Sequence, residues 1–166
     1  MGAGITVDVN TRALQEGFNS LLKRGQNLQP LMFDIGEYLV AETDDRFDEE
    51  RAPDGTAWEQ SRRAKEEGGK TLTKSTKLRK SITHIDSKNS VLYGAKGDYV
   101  AIHQFGGTIK AKGGGHLKFG FGSGDSKGFA SVKQVTIPAR PFLGVTPDDM
   151  DEIKQMTADY LTESLK

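Results

Sequence analysis

The stretch Ile137-Pro138-Ala139-Arg140-Pro141-Phe142-Leu143-Gly144 is the part of this sequence that most strongly constrains the fold. Each proline fixes its own φ angle and lacks a backbone N–H, so the segment leaves any helix or strand that precedes it. The backbone therefore holds Arg140 and Phe142 in a fixed, extended geometry. Such an arrangement is typical of a segment that forms a contact surface.

Two upstream segments share this character. They are Pro53-Asp54-Gly55-Thr56-Ala57-Trp58 and Tyr99-Val100-Ala101-Ile102-His103-Gln104-Phe105-Gly106-Gly107. In order and spacing, the three segments resemble those of the phage virion morphogenesis proteins, the tail-completion or head–tail neck group of Mu-like and related tailed phages. A shorter run with Leu72-Thr73, Leu78-Arg79 and Ser81-Ile82 is similar to the family's link between the tryptophan and the sheet. The resemblance covers roughly residues 30–165.

The resemblance implies a structural virion protein without catalysis, which completes the tail or joins head to tail at the neck. It implies that the protein contacts itself in a ring and also contacts neck, connector, tail-terminator or tail-tube proteins. Its expected location is the virion, at the neck or the head-proximal tail end, after assembly in the host cytoplasm. A closed ring needs two different, complementary faces on each subunit. We expect one face around Trp58 and Arg140, and the other on the second helix or on a Gly-rich arm.

The three segments supply the interface candidates, which are Trp58, His103, Gln104, Phe105, Arg140 and Phe142. For Trp58, burial against the first helices and burial against an adjoining subunit both fit the sequence. Arg140 is suited to a bidentate pair with a carboxylate, within the subunit or across the ring interface, and we favour the interface. His103 is expected to be a hydrogen-bonded, partly buried structural residue.

The composition is compatible with this role. The 166 residues contain 23 Lys plus Arg and 23 Asp plus Glu, so no global electrostatic field favours DNA or an acidic membrane. A chain of this length can bury ~70% of its unfolded surface, and we expect one domain over residues 1–166. The lack of cysteine excludes disulfides and thiolate metal sites, and it fits a reducing cytoplasm.

Membrane association is not expected from the sequence. Residues 1–10 lack the basic start and the apolar run of a signal peptide. No apolar stretch approaches the ~20 residues that a membrane-spanning helix needs. We therefore expect a soluble protein with no membrane partner.

Apolar residues at helical spacing predict two N-terminal helices. The first ends before Gly25, with Asn10 or Thr11 as its N-cap, and has an apolar face of Leu14, Phe18, Leu21 and Leu22. The second runs from Leu28 to Phe47 and is predicted to be the longest, with Pro30 in its first turn. Pro53-Asp54-Gly55 then predicts a tight turn.

The segment from Ser81 to Ile109 is rich in β-branched and aromatic residues, which predicts antiparallel strands. Tyr99 to Gln104 is either a strand or a helical turn. Gly106 to Gly128 is rich in glycine and poor in core residues, so we expect a mobile loop or arm over residues 106–131. Val132 to Ile137 predicts the last strand.

Thr146-Pro147-Asp148-Asp149 predicts the start of a C-terminal helix, with Thr146 as N-cap and the acidic residues near the positive end of the helix dipole. Its apolar face consists of Ile153, Met156, Tyr160 and Leu161. The predicted fold is α+β, with N-terminal helices, a small antiparallel β-sheet, a long Gly-rich loop and a C-terminal helix that packs on the sheet.

The segment from Arg62 to Lys80 is a local basic patch. Three roles fit it: a solvated face, non-specific and salt-sensitive contact with phage DNA, or pairing with the acidic end of the second helix in a neighbouring subunit. The residues that would make the DNA or subunit contact are Arg62, Arg63, Lys74, Lys77, Arg79 and Lys80. A non-specific DNA-binding module is therefore the alternative to a neck protein.

Other patterns that suggest chemistry have simpler explanations. Residues 64–71 match a relaxed nucleotide-binding loop, but a polar segment precedes them and Glu66 and Glu67 would face the phosphates. Carboxylate pairs at predicted helix ends are explained by capping and solvation; they are Asp44-Asp45 and Asp148-Asp149. Metal-binding spacing is absent among the histidines, which are His84, His103 and His116. We therefore expect no catalytic residue, cofactor, metal or small-molecule substrate.

Overall fold

Helix α2, Gln29–Glu49, is the longest element in the described residues and the one on which the others pack. The computed structural model describes residues 11–121 and 128–165. The expectations for residues 1–10, for Asn10 as an N-cap and for the middle of the Gly-rich arm lie outside these ranges. As predicted, Pro30 lies in the first turn of α2, and the apolar residues Leu31, Ile35, Leu39 and Phe47 are buried.

Strands β1, Ile82–Asp86, and β2, Val91–Ala95, form an antiparallel hairpin whose inner face packs on α2. Ile82 is buried on that face, and Tyr93 lies between the two apolar clusters of the protein. The helix approaches the hairpin closely at Gly36, where a Cβ atom would lie 2.3 Å from His84 Nδ1. A larger residue at position 36 would displace the histidine ring.

Helix α5, Pro147–Thr162, begins with the predicted cap, since the Thr146 hydroxyl accepts from the Asp149 N–H and the Asp149 carboxylate accepts from the Thr146 N–H. Its apolar face packs on the α2 residues Leu31, Ile35 and Leu39. The expectation that this helix packs on the sheet was wrong, because α2 covers the apolar face of α5 and the β1–β2 hairpin also packs on α2. Helix α1, Arg12–Gly25, contacts α5 and has no buried residue.

Two short helices follow α2 in the chain order. Helix α3, Arg62–Glu67, lies in the basic segment, and helix α4, Val100–Phe105, decides the open question about Tyr99 to Gln104 in favour of a helix. The predicted turn forms after α2, with the Gly55 N–H donating to the Ala52 carbonyl.

The Gly-rich region contains strands in its described parts. Strand β3, Gly107–Lys110, pairs with β6, Gln134–Ile137, and β4, Leu117–Phe121, pairs with β5, Gly128–Val132. The fold is therefore α+β, as predicted, with three two-stranded antiparallel sheets in the described residues. We call β4 and β5 the arm. In the described ranges, no helix has both the length and the apolar character needed to cross a membrane.

Candidate functional site

The three segments that distinguish the sequence meet in space around residues 138–144. The Trp58 indole N–H donates to the Pro141 carbonyl at 2.8 Å, and the Arg140 N–H donates to the His103 carbonyl at 2.7 Å. Two glycines permit this approach. A Cβ on Gly144 would lie 2.7 Å from Pro53 Cγ, and one on Gly106, whose φ is +68°, would lie 2.7 Å from the Ala139 nitrogen.

Gln104 replaces the secondary-structure partners that the proline-rich segment lacks. Its side-chain oxygen accepts from the N–H groups of Phe142 and Leu143, both at 3.0 Å. Its amide nitrogen donates to the Leu143 carbonyl at 2.9 Å. Buried backbone groups outside helices and strands need such partners, so Gln104 has a structural function in the subunit.

Phe142 and Trp58 lie in the main apolar cluster. Phe142 is fully buried, Trp58 is 7% exposed, and both rings contact Phe47, with ring centroids 5.4 and 5.3 Å away respectively. Of the two positions open for Trp58, the structure gives the one inside the subunit.

Arg140 is also buried, at 5% exposure, and its Nε donates to the Glu59 backbone carbonyl at 2.6 Å. This neutral acceptor takes the position in which we expected a carboxylate. Burial lowers the pKa of Arg140, and the nearby charge of Glu59 opposes this change only in part. Burial, followed by the charge of Arg140, also lowers the pKa of His103, which favours the neutral ring.

The six interface candidates therefore differ in exposure. Trp58, Arg140 and Phe142 are buried, His103 and Gln104 are half-buried, and Phe105 is 77% exposed. Phe105 is the candidate whose side chain is free to contact a partner.

Sequence analysis missed a buried ion pair between Arg46 and Asp149. Arg46 Nη2 lies 2.9 Å from Asp149 Oδ2, and the two side chains are 7% and 3% exposed. Arg46 Nη1 also donates to the carbonyls of Phe142 and Gly144, at 3.2 and 2.7 Å. The pair therefore ties the proline-rich segment and the start of α5 to α2. Capping explains Asp149 as predicted, but the expected solvation was wrong because the arginine covers its carboxylate.

The basic segment pairs extensively with acidic residues of the same chain. Arg79 forms ion pairs with Asp44 and Asp48, and Lys70 contacts Asp48 at 2.7 Å. Hydrogen bonds from Arg79 and Lys70 hold the pKa of Asp48 well below its ordinary value. Hydrogen bonds to Asp44 and then to Asp48 raise the pKa of Arg79. The acidic end of α2 is thus a partner of this segment within the subunit.

The remaining cations of this segment differ in their contacts. Arg62 pairs with Glu66 at 2.7 Å, and Lys74 lies 3.9 Å from Glu67. Arg63 donates to the carbonyls of Gly68 and Lys70. Within the segment from Arg62 to Lys80, Lys65, Lys77 and Lys80 are exposed and form no ion pair with the described residues.

A cavity of about 360 Å³ lies between this segment and helix α4. Its polar lining residues are Ser61, Arg63, Lys74, Ser75, Lys77, Tyr99 and His103. A second groove, also of about 360 Å³, lies between the end of α2 and the start of α5, and its acidic lining residues are Asp45, Glu49, Glu42, Asp148 and Asp149. Within the described residues, no group of His, Asp and Glu is arranged to hold a metal ion.

Large apolar side chains are exposed on several parts of the described surface. Helix α1 presents Leu14, Phe18 and Leu22, each more than half exposed and spaced four residues apart. The outer face of the β1–β2 hairpin presents Ile85 and Leu92, which are paired across the strands. On the arm, Phe129 is 87% exposed.

Comparison with known proteins identifies the class. Residues 9–162 match the phage virion morphogenesis family, and the chain belongs to that family. It is 29% identical over 157 residues to Mu-like prophage FluMu G protein 2 of Haemophilus influenzae, and the alignment covers 95% of both chains. No solved structure matches the chain. The protein therefore has a structural role in phage virion morphogenesis, a process in which it interacts with other virion proteins.

Proposed function

We propose that the protein completes the tail and joins it to the head at the neck of the virion, through ring-forming contacts between identical copies. Membership of the family and the similarity to a Mu-like prophage protein support a role in particle assembly. Its further partners would be neighbouring neck, connector, tail-terminator or tail-tube proteins.

The observation that carries this proposal is the exposure of large apolar side chains on several surfaces of one small subunit. Phe105, Leu92 and Phe129 are each more than 70% exposed, and α1 adds an apolar stripe. Contiguous apolar groups on the surface, such as the α1 stripe and the cross-strand pair of Ile85 and Leu92, mark surfaces that a partner covers. A ring subunit has a neighbour on each side and another protein above or below it, so it needs more than one such surface.

The proposed mechanism is geometric and involves no chemical turnover. The core around Phe142 and Trp58 fixes the shape of the subunit, and the exposed surfaces then set the positions of its neighbours. Contact with phage DNA through the basic segment has less support, because Arg79, Lys70 and Arg62 already pair with acidic residues of the same chain.

Assembly rescue tests the proposal. Particles made without this gene are mixed with purified protein and imaged for joined heads and tails and for a ring of added density at the neck. We expect wild-type protein to restore joining and the Phe129→Ser variant to restore much less. Val145→Ser, which changes an exposed apolar residue outside the arm, is the matched control. Heads and tails that join normally without the protein would contradict the proposal.

A further inference from the structure

Two surfaces of the subunit carry opposite charges and contain groups that lack counterions. We call the first the basic face, defined by Arg63, Lys74, Lys77 and His103 around their shared cavity. We call the second the acidic face, defined by Glu42, Asp45, Glu49 and Asp148 in the groove beside α5. The chain has a formal net charge of zero, so this separation is a property of the surface and not of the composition.

The basic face is built to receive an anion. Among the described residues that line its cavity there are cations and hydroxyl groups but no carboxylate. His103 lines the cavity, and its buried Nδ1 has no hydrogen-bond partner in the part of the chain that the structure describes. The charge of the buried Arg140 guanidinium acts on His103, and the Arg140 Nε donates to a neutral carbonyl. A buried charge and a buried polar atom are both stabilised when an anionic acceptor approaches.

The two arginines that line the groove of the acidic face, Arg46 and Arg51, both have an ion-pair partner in the same chain. Arg46, the nearest buried cation, is bound to Asp149, and Arg51 pairs with Glu49 at 3.1 Å. Within the described residues, Asp45 and Asp148 are exposed and form no ion pair. Burial, followed by the charges of Asp149 and Asp45, raises the pKa of Glu42, and the charge of Arg46 opposes this change only in part.

The acidic face is distinct from the part of α2 that holds the basic segment. Asp44 and Asp48 bind Arg79, whereas Glu42, Asp45 and Glu49 lie roughly 110° away around the helix axis, at 100° per residue. The ion pairs of Arg79 therefore do not involve the carboxylates of the acidic face.

We propose that the basic face of one copy binds the acidic face of the next copy, with a carboxylate of the acidic face in the cavity beside His103. This inference rests on the proposed ring, to which it adds the two surfaces of the subunit contact. A second copy of this chain is the occupant that fits best, because every copy presents one basic face and one complementary acidic face. Such a head-to-tail contact closes a ring when the rotation between copies is suitable.

DNA is a poorer occupant of the basic face. A nucleic-acid strand is bound by cations that follow its backbone over several phosphates. Here the cations that would extend such a track are bound to acidic residues of the same subunit, as for Arg79 and Lys70. The cations that remain around the cavity of the basic face are Arg63, Lys74 and Lys77, which suit one or two carboxylates.

Zero-length crosslinking tests the contact directly. A carbodiimide joins a lysine amine to a carboxylate only where the two touch. Equal amounts of isotope-labelled and unlabelled full-length protein are crosslinked at high concentration and low salt, and again on rescued particles, and mixed-isotope products are sequenced by mass spectrometry. We expect Lys74 or Lys77 to be linked to Asp45 or Asp148. Crosslinks between copies at other positions, without these, would overturn the inference and leave the ring itself intact.

Charge reversal gives the second readout, in the rescue assay. Lys74→Glu/Lys77→Glu and Asp45→Lys/Asp148→Lys place like charges against each other, and we expect each to lower head–tail joining about tenfold. A chain with all four changes should recover joining, which also excludes misfolding as the cause of the loss. Lys65→Glu/Lys80→Glu, with the same charge change in the same segment but outside the cavity lining, is the control.

The outcomes separate the two proposals. Full activity of both reversed variants would overturn the charge contact, whereas failure of wild-type protein to restore joining would contradict the neck role. In that second case the crosslinking at high concentration still decides whether the two faces meet. If Lys65→Glu/Lys80→Glu lowered head–tail joining as much as Lys74→Glu/Lys77→Glu, the basic segment would be assigned to contact with DNA.

Discussion

Removing the Asp149 carboxylate should destabilise the subunit severely, because Asp149 is the buried counterion of Arg46 within the same chain. In the Asp149→Ala variant, Arg46 remains buried at 6% exposure without its counterion, and the Thr146 N–H loses an acceptor at 2.7 Å. Breaking a buried ion pair from one side costs about 3–5 kcal/mol, because the remaining charge is uncompensated. For a chain of this size the melting temperature should fall by about 6–20 °C.

The measurement is urea unfolding followed by tryptophan fluorescence, since the single tryptophan, Trp58, is buried in the main apolar cluster. Asp148→Ala is the matched control. Asp148 lies in the same first turn of α5 but is exposed, so its loss should cost only the dipole contribution of about 0.3–1 kcal/mol. The difference in unfolding free energy between the two variants then isolates the contribution of the buried ion pair.

Asp149→Asn distinguishes charge from hydrogen bonding. Asparagine keeps an oxygen that accepts from the Thr146 N–H but lacks the negative charge. We therefore expect Asp149→Asn to lower the unfolding free energy by most of the amount that Asp149→Ala does. The reasoning would be refuted if Asp149→Asn were as stable as wild type, since capping would then account for the whole effect. It would also be refuted if Asp149→Ala cost no more than Asp148→Ala.

Two further changes test other contacts by urea unfolding. Glu42→Gln should stabilise the subunit at pH 7 and have little effect at pH 4. The folded state raises the pKa of Glu42, so the stability that the protonated Glu42 side chain contributes is lost as the pH rises through that pKa. A gain of equal size at both pH values would contradict this explanation. Gly36→Ala should destabilise the subunit, although alanine favours a helix by about 1 kcal/mol, because its Cβ would lie 2.3 Å from His84 Nδ1. Stability should return when His84→Ala is added, and a stabilised Gly36→Ala variant would disprove the close contact.

The features that sequence analysis predicted correctly depend on neighbouring residues. Pro30 in the first turn of α2, the turn at residues 53–55 and the cap at Thr146 each follow from the local chemistry of a few residues. The resemblance to the family was also correct, because it depended on three short segments in a fixed order.

The features that were missed depend on contacts between distant residues. The packing of α5 on α2 joins two helices that are distant in the sequence, and the periodicity of each helix does not show which apolar faces meet. The Arg46–Asp149 pair joins residues 103 positions apart. One signal was present: Arg46 lies seven residues after Leu39 on the buried stripe of α2, and a cation in that position requires an anionic partner.

The segments that identify the family serve mainly the interior of the subunit. The prolines at 138 and 141 remove backbone donors, and the side chains of Gln104, Arg46 and Trp58 bind the backbone groups that remain. Substitutions in these residues should therefore reduce stability and assembly together. Substitutions at Phe129, Lys77 or Asp45, which are exposed, should reduce assembly while the unfolding free energy stays close to that of wild type. Measuring both quantities on each variant separates residues that shape the subunit from residues that join it to its neighbours.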